Sequence, residues 1–259
     1  MKRLGIGLQL YTLRDVIGDD LEGTLRKVAA IGYEGVEFAG YGGIEADRMR
    51  DLLEELGLKA IGNHVSLENL ETKLDEEIAY LKTIGAQYAI CPWLPEDRRS
   101  AEAWLKLFVD FEQYGKRFRE AGIDFCYHNH EFEFEVEVDG KFVFDALYNR
   151  IDADFLKVEM DLGWVQYAGQ DPLAYISKYA NRLPLLHLKD FRKGDGTPGK
   201  RIDTVELGRG DLDLLPLIER AGESGVEWVI VEQDVCANPP LESVAESMEW
   251  LKNNYLSKI

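Results

Sequence analysis

The chain has 259 residues, with 48 acidic against 30 basic side chains and a formal net charge of −18. Hydrophobic residues make up 46%, the composition of a globular protein and not of a disordered one. The acidic excess opposes DNA, RNA and anionic membrane surfaces, all of which call for clustered Lys and Arg.

The first apolar run, LGIGLQL (4–10), carries Gln9 and has no small-residue cleavage site beyond it, so it reads as a first strand and not as a signal peptide. A helix follows, with Leu21, Leu25, Val28 and Ala29 on one face after Asp19 and Asp20, which can cap it. GVEFA (35–39) is the second strand. Met49, Leu52, Leu53 and Leu56 mark a helix that stops at Gly57. KAIGNHV (59–65) is the third strand, and Leu74, Ile78, Leu81 and Ile84 mark the helix after it, which ends at Gly85. QYAICPW (87–93) precedes a longer helix carrying Trp104, Leu107, Phe108, Phe111 and Phe118, which is either core or an interface between copies. IDFCYHN (123–129), FLKVEMD (155–161) and LPLLHLK (183–189) are the next strands. Leu214, Leu215, Leu217 and Ile218 begin another helix, WVIVEQD (228–234) is the eighth strand, and Val244, Met248 and Leu251 mark the final helix.

Short, aliphatic runs of this kind fit strands covered on both faces. Gly32, Gly57, Gly85, Gly122 and Gly225 fall where helices must end before short connections. Eight strands alternating with helices, at about 32 residues per unit, predict an α/β fold: a (β/α)8 TIM barrel forming one domain over residues 1–259. A doubly wound sheet is the alternative, but GIGLQL lacks the GxGxxG first turn. No window reaches the roughly 18 apolar residues of a membrane span. Cys91, Cys126 and Cys236 are odd in number and far apart, which predicts small core residues, no disulfide framework and a cytoplasmic setting.

In such a barrel the chemistry sits at the C-terminal ends of the strands. Those ends carry Gln9 and Tyr11, Glu37, Asn63 and His64, Trp93, His128 to His130, Glu159 and Asp161, His187 with Lys189 and Asp190, and Glu232 with Asp234. All four histidines of the chain are among them. Imidazole and carboxylate without thiolate suit one divalent cation: Mn, Zn, Co or Mg. Without a cation, Asp161, His187 and Glu232 would have to form a polar network holding two buried carboxylates side by side.

EMDLGW, LLHLKDF and VIVEQD, with GLQLYTLR at the start, GVEF at the second strand and LGRGDLDLLPLI near the end, resemble the xylose-isomerase-like TIM barrels. That sugar phosphate isomerase/epimerase group includes keto-sugar epimerases, inosose dehydratases and endonuclease IV. The resemblance implies metal ligands at Asp161, His187 and Glu232. The group's fourth ligand is usually a Glu on strand five that doubles as a base. Here the matching position is His128, with Glu133 five residues on, so either His128 takes the ligand role or Glu133 reaches in. The group's His three residues after the strand-six Asp is Trp164 in this chain.

The implied activity is a metal-dependent isomerase or epimerase acting on a keto-sugar or polyol-derived ketone. A carboxylate, Glu232 or Glu133, removes the proton next to the carbonyl, and the cation stabilises the enediolate. Lys189 would stabilise an oxyanion, or else pair with Asp190 or Glu159. Gln9, His64 with Asn63, Trp93, Trp164 and His130 are expected to contact the sugar, Trp164 being the better stacking candidate. His130 has the alternative of orienting His128 or Glu133. Lys193, with Arg192, Lys200 and Arg201, lies in a basic loop after strand seven that could meet an anion, and the backbone of GRG (208–210) could cradle one unless it is merely the turn before a helix capped by Asp211. The expected partner is a small-molecule sugar, unphosphorylated by preference, and a homo-oligomer is compatible with the fold.

Two other outcomes stay open. The same enolate could expel water or an aglycone, making the chain a lyase or dehydratase on a keto-sugar, inosose or keto-glycoside. A barrel lacking its strand-five Glu could also bind carbohydrate without turning it over. A nuclease on this fold would need three metals and a DNA-binding face, and four histidines with a charge of −18 oppose that.

Overall fold

A computed structural model describes residues 2–18, 20–193 and 202–259, with the side chains of residues 193 and 202 also outside the description. Eight parallel strands close into a barrel: β1 (Gly5–Gln9), β2 (Gly35–Phe38), β3 (Lys59–His64), β4 (Tyr88–Cys91), β5 (Asp124–His128), β6 (Lys157–Asp161), β7 (Leu185–Leu188) and β8 (Trp228–Val231). Closure comes from β1, which pairs with β2 on one side and with β8 on the other, Gly7 lying opposite both Gly35 and Ile230. Each strand lies within one of the eight apolar runs of the sequence.

Eight main helices follow the strands: α1 (Leu21–Ile31), α2 (Ala46–Leu56), α3 (Leu74–Ile84), α4 (Ala101–Glu120), α5 (Val143–Arg150), α6 (Pro172–Lys178), α7 (Leu214–Glu223) and α8 (Pro240–Asn254). Asp20 caps α1 by accepting from the Gly23 N–H, and Ser100 caps α4 through Ala103. Gly32, Gly57 and Gly85 close their helices at positive φ, the conformation that glycine adopts without a Cβ clash. Helix α7 starts after Asp213 and not Asp211, and the Asp213 side chain makes no capping hydrogen bond, which corrects the cap expected at Asp211.

Helices α5 and α6 were not marked by periodicity. In α5, Val143, Phe144, Ala146, Leu147 and Tyr148 are all buried, so no polar face alternates with an apolar one. Helix α6 is seven residues long and starts from Asp171 and Pro172, a start signal too short to carry a pattern. The aromatic side chains of α4 belong to the core: Trp104, Phe111 and Phe118 are fully buried and pack on Phe125 and Tyr127 of β5.

The barrel interior is filled at its lower end by Ile61, Tyr88, Ile90, Cys126, Leu185 and Ile230, with Trp228 beneath. These large side chains need small partners. A Cβ on Gly7 would sit 2.4 Å from the Ile61 side chain, so β1 passes this layer as glycine. Cys91 and Cys126 are buried core residues as expected, whereas Cys236 is only partly buried, and none of the three is in a disulfide. No helix among the described residues is long and apolar enough to cross a membrane.

Candidate active site

Side chains two apart on a strand share a face, so each strand that reaches the barrel mouth builds a column. Leu185, His187 and Lys189 form one; Ile230, Glu232 and Asp234 another; Cys126 and His128 a third; Glu159 and Asp161 a fourth. Apolar residues fill the lower rung, imidazoles and carboxylates the next. The result is a buried polar layer on an apolar plug, beneath a cavity of about 560 Å³ lined by Tyr11, His64, Trp93, His130, Lys189, Glu232 and Asp234, among others.

Four carboxylates, Glu37, Glu159, Asp161 and Glu232, are buried here with His128 and His187. His187 lies between two of them, with Nδ1 2.9 Å from Glu232 Oε2 and Nε2 2.7 Å from Glu37 Oε2. His128 Nδ1 is 3.0 Å from Glu159 Oε2, and its Nε2 is 3.7 Å from Asp161 Oδ2. His64 Nε2 is within 2.9 Å of Glu37 and 3.0 Å of Glu159. Lys189, 1% exposed, places Nζ 2.8 Å from Glu232, 3.0 Å from Asp161 and 2.9 Å from Asp234. Its expected partners Asp190 and Glu159 are therefore replaced by these three.

Burial penalises every charge in this layer, and the neighbours decide which survive. For Lys189, burial alone would lower the pKa, but Asp161, Asp234 and Glu232 outweigh it and hold the ammonium protonated. Burial would raise Glu232, but Lys189 and His187 hold it below the usual carboxylate range. Asp161 is pushed up to about 6 by burial, with Lys189 only partly offsetting. Burial, reinforced by His187, holds His128 neutral, and burial with Lys189 lowers His130 to about 3.

Among the described residues, two groups of four ligand atoms, each within 4.8 Å of one another, could hold a cation: His64, His128, Glu159 and His187, or His128, Asp161, His187 and Glu232. The second is the set drawn from the sequence. The donor chemistry fits a divalent ion, since oxygen and imidazole nitrogen converge without sulfur. Among the described residues, no hydrogen-bond donor reaches the buried Glu37 Oε1 or Glu159 Oε1, so acceptor capacity is left over beside the ligand groups.

Several residues sit elsewhere than expected. Glu133 is fully buried, but Tyr127 Oη donates to one of its oxygens at 2.5 Å and the His130 N–H to the other at 2.8 Å. It therefore latches the chain after β5 and reaches neither the cation groups nor the cavity, which corrects its expected role as base. Gln9 is buried, with its amide bridging Glu37 and the Tyr11 N–H, so it supports the layer and does not line the cavity. Asn63 binds the Gly40 N–H and Glu77 instead of facing the mouth. Trp164 packs among His130, Tyr167 and Phe191 and does not line the cavity, whereas Trp93 lines it at 47% exposure, so the order of the two stacking candidates is reversed. Arg99 backs Trp93, 4.9 Å from its ring. His64 and His130 line the cavity. The Lys193 side chain, with Lys200 and Arg201, lies outside the described residues.

The GRG loop does cradle an anion, but that anion is the chain's own. Asp190 accepts the N–H groups of Gly208 at 2.9 Å, Gly210 at 2.8 Å and Leu212 at 3.2 Å. Glu37, Glu159, Asp234 and Tyr11 were visible at strand ends without an assigned role. The signal was period two: Glu159 precedes Asp161 by two residues, and Asp234 follows Glu232 by two.

A closed parallel barrel with an imidazole–carboxylate layer at its C-terminal mouth defines a class of (β/α)8 proteins that binds its ligands at strand ends. Residues 25–254 match the family described as xylose isomerase-like TIM barrel, and the chain belongs to it. An inosose dehydratase of Lacticaseibacillus casei is 26% identical over 216 residues, covering 78% of this chain and 67% of that protein. The crystal structure of a sugar phosphate isomerase/epimerase from Parabacteroides distasonis superposes with a TM-score of 0.82 at 24% identity, covering 98% of this chain and 99% of that one. The IOLI protein, solved with a binding zinc atom, superposes with a TM-score of 0.75 at 15% identity, covering 98% of this chain and 97% of that one.

Proposed function

We propose that the chain is a metal-dependent enzyme that removes the proton next to the ketone of a cyclic keto-sugar or keto-polyol and then expels a β-hydroxyl as water. This reverses the order expected from sequence, in which isomerisation or epimerisation came first and elimination second. The observation that carries the reading is the Glu232–Lys189 pair at 2.8 Å beside a strand-five histidine. Elimination needs one base and one acid. Epimerisation by two carboxylates would need a second on strand five, where this chain has His128. The similarity to inosose dehydratases supports the same choice.

His128, Asp161, His187 and Glu232 would hold the cation. When bound, it would polarise the substrate carbonyl and lower the pKa of the adjacent C–H. Glu232, kept ionised by Lys189, takes the proton, and the C–H electrons move into the new C–C double bond as charge builds on the carbonyl oxygen. When that oxygen reforms the carbonyl, the β-carbon–oxygen bond breaks. The departing hydroxide takes a proton from the Lys189 ammonium and leaves as water. Asp234, 2.9 Å from Lys189, holds the side chain in place for that transfer. Trp93 and Tyr11 offer exposed aromatic surface to the apolar face of a ring.

The test is to incubate the Mn-loaded protein with an inosose and with simple ketoses in heavy water, following mass and proton NMR. Loss of water with formation of a conjugated enone supports the proposal. Deuterium uptake without loss of water would replace it with an epimerase or isomerase. Binding without exchange would leave a carbohydrate-binding barrel.

A further inference from the structure

The two four-residue cation groups share His128 and His187. They differ in which side of those rings they use. The outer group takes the sides facing Asp161 and Glu232; the inner group takes the sides facing Glu159, Glu37 and His64. A neutral imidazole offers a cation only its unprotonated nitrogen, and its other nitrogen carries a proton that needs an acceptor. The inner carboxylates are those acceptors. Glu159 Oε2 is 3.0 Å from His128 Nδ1, and Glu37 Oε2 is 2.7 Å from His187 Nε2. The same two oxygens are tied to one another through His64 Nε2, and Glu37 is fixed from below by the Gln9 amide at 2.7 Å. Their remaining oxygens, the Oε1 atoms, are buried with no donor, so each carboxylate turns its bonded oxygen towards the histidines.

We infer that Glu37 and Glu159 are positioning residues that hold His187 and His128 by their inward nitrogens. Each fixes one tautomer, leaving His187 Nδ1 and His128 Nε2 on the cavity side for the cation. The inference rests on the metal reading above and decides between the two candidate groups: the outer four are the ligands and the inner layer is the clamp. Carboxylates in this place keep the ring orientation and raise the basicity of the ligating nitrogen.

The experiment labels histidine with ¹⁵N and reads tautomers by long-range ¹H–¹⁵N NMR, first without metal and then with zinc, while zinc affinity and stoichiometry are measured by calorimetry. Expected without metal are His128 protonated at Nδ1 alone and His187 at both nitrogens, each of which faces a carboxylate; with zinc, His187 keeps only its Nε2 proton, and His128 Nε2 and His187 Nδ1 carry the metal shift. Glu159→Gln weakens zinc binding by about 10- to 100-fold at unchanged stoichiometry of one ion per chain and mixes the His128 tautomers. Glu37→Gln does the same for His187, so the question survives should one variant fail to fold. Metallation of His128 at Nδ1, or zinc binding that survives Asp161→Asn but not Glu159→Gln, would overturn the inference and put the ion in the inner group. Wild-type protein that binds no zinc would overturn the functional reading instead, and the metal-free tautomers would still decide whether the clamp exists.

Discussion

Replacing Lys189 by Met removes the cation from a pocket that keeps three carboxylates. Met has similar length and no charge, so the change is electrostatic more than steric. Each ammonium–carboxylate contact of 2.8–3.0 Å is worth about 6 kcal/mol of gross attraction at an effective dielectric near 20. Burying the ammonium costs several kcal/mol in return, and deleting one partner of such a group typically costs about 3–5 kcal/mol. We expect K189M to lose about that much stability in urea unfolding at pH 8 with chelator present. The loss is smaller at pH 5. Without Lys189 the folded pKa of Asp161, already about 6, rises further above its unfolded value near 4, and that of Glu232 rises with it, so the folded state binds more protons. The variant's stability is then present at low pH and lost as pH rises through the raised values, the direction already visible in Asp161 at about 6. Metal should restore the variant more than the wild type, because the ion no longer shares Asp161 and Glu232 with an ammonium. A K189M protein within about 1 kcal/mol of wild type at pH 8 in chelator would refute the reasoning, since partner removal from a buried ion group costs several times that.

The latch at Glu133 gives a second pH signature. Burial raises it to about 8, against the bonds from Tyr127 and the His130 N–H, so the folded state holds a proton there that the unfolded state releases near pH 4. Stability should fall between pH 5 and 8 by up to about 1.4 kcal/mol per unit, and E133Q should flatten that slope in urea titrations. In helix α4, a Cβ on Gly115 would lie 1.8 Å from the Phe155 carbonyl oxygen; G115A should lower the melting temperature by about 5 °C or more, and an unchanged transition would mean the contact is soft. W93A should raise KM with kcat nearly preserved, as expected when a group contributes equally to ground and transition states; a fall in kcat alone would count against Trp93 as a stacking surface. Chelation should lower the melting temperature of the wild type, and added Mn should restore it, whereas D161N should respond to neither.

Much of the fold was legible because strands and helices repeat the same punctuation. An apolar run, an amphipathic helix and a glycine at positive φ recur, and each part is local. The site was legible as a set of strand ends but not as a division of labour. His128, Asp161, His187 and Glu232 could be named because they end strands. That Glu37 and Glu159 stand a rung below, against the same imidazoles, depends on the stagger of neighbouring strands, which no single segment encodes. Glu133 misled for the opposite reason: the short 3-10 turn at Phe132–Phe134 folds it back under Tyr127, and a turn of three residues leaves no periodic trace. Trp164 misled because Asp161 caps the short helix containing it, so proximity in sequence became packing beneath the mouth instead of exposure within it.

Asp190 answers the three converging N–H groups of the 208–212 loop, so that loop is a receptor whose guest is covalently attached. Permanent occupancy repels a second anion and staples the chain just after β7 to the approach of α7. Shortening this one side chain, as in Asp190→Ala, would leave the donors in place and the guest gone. The same three N–H groups that now serve as an anchor would then converge on an unfilled site.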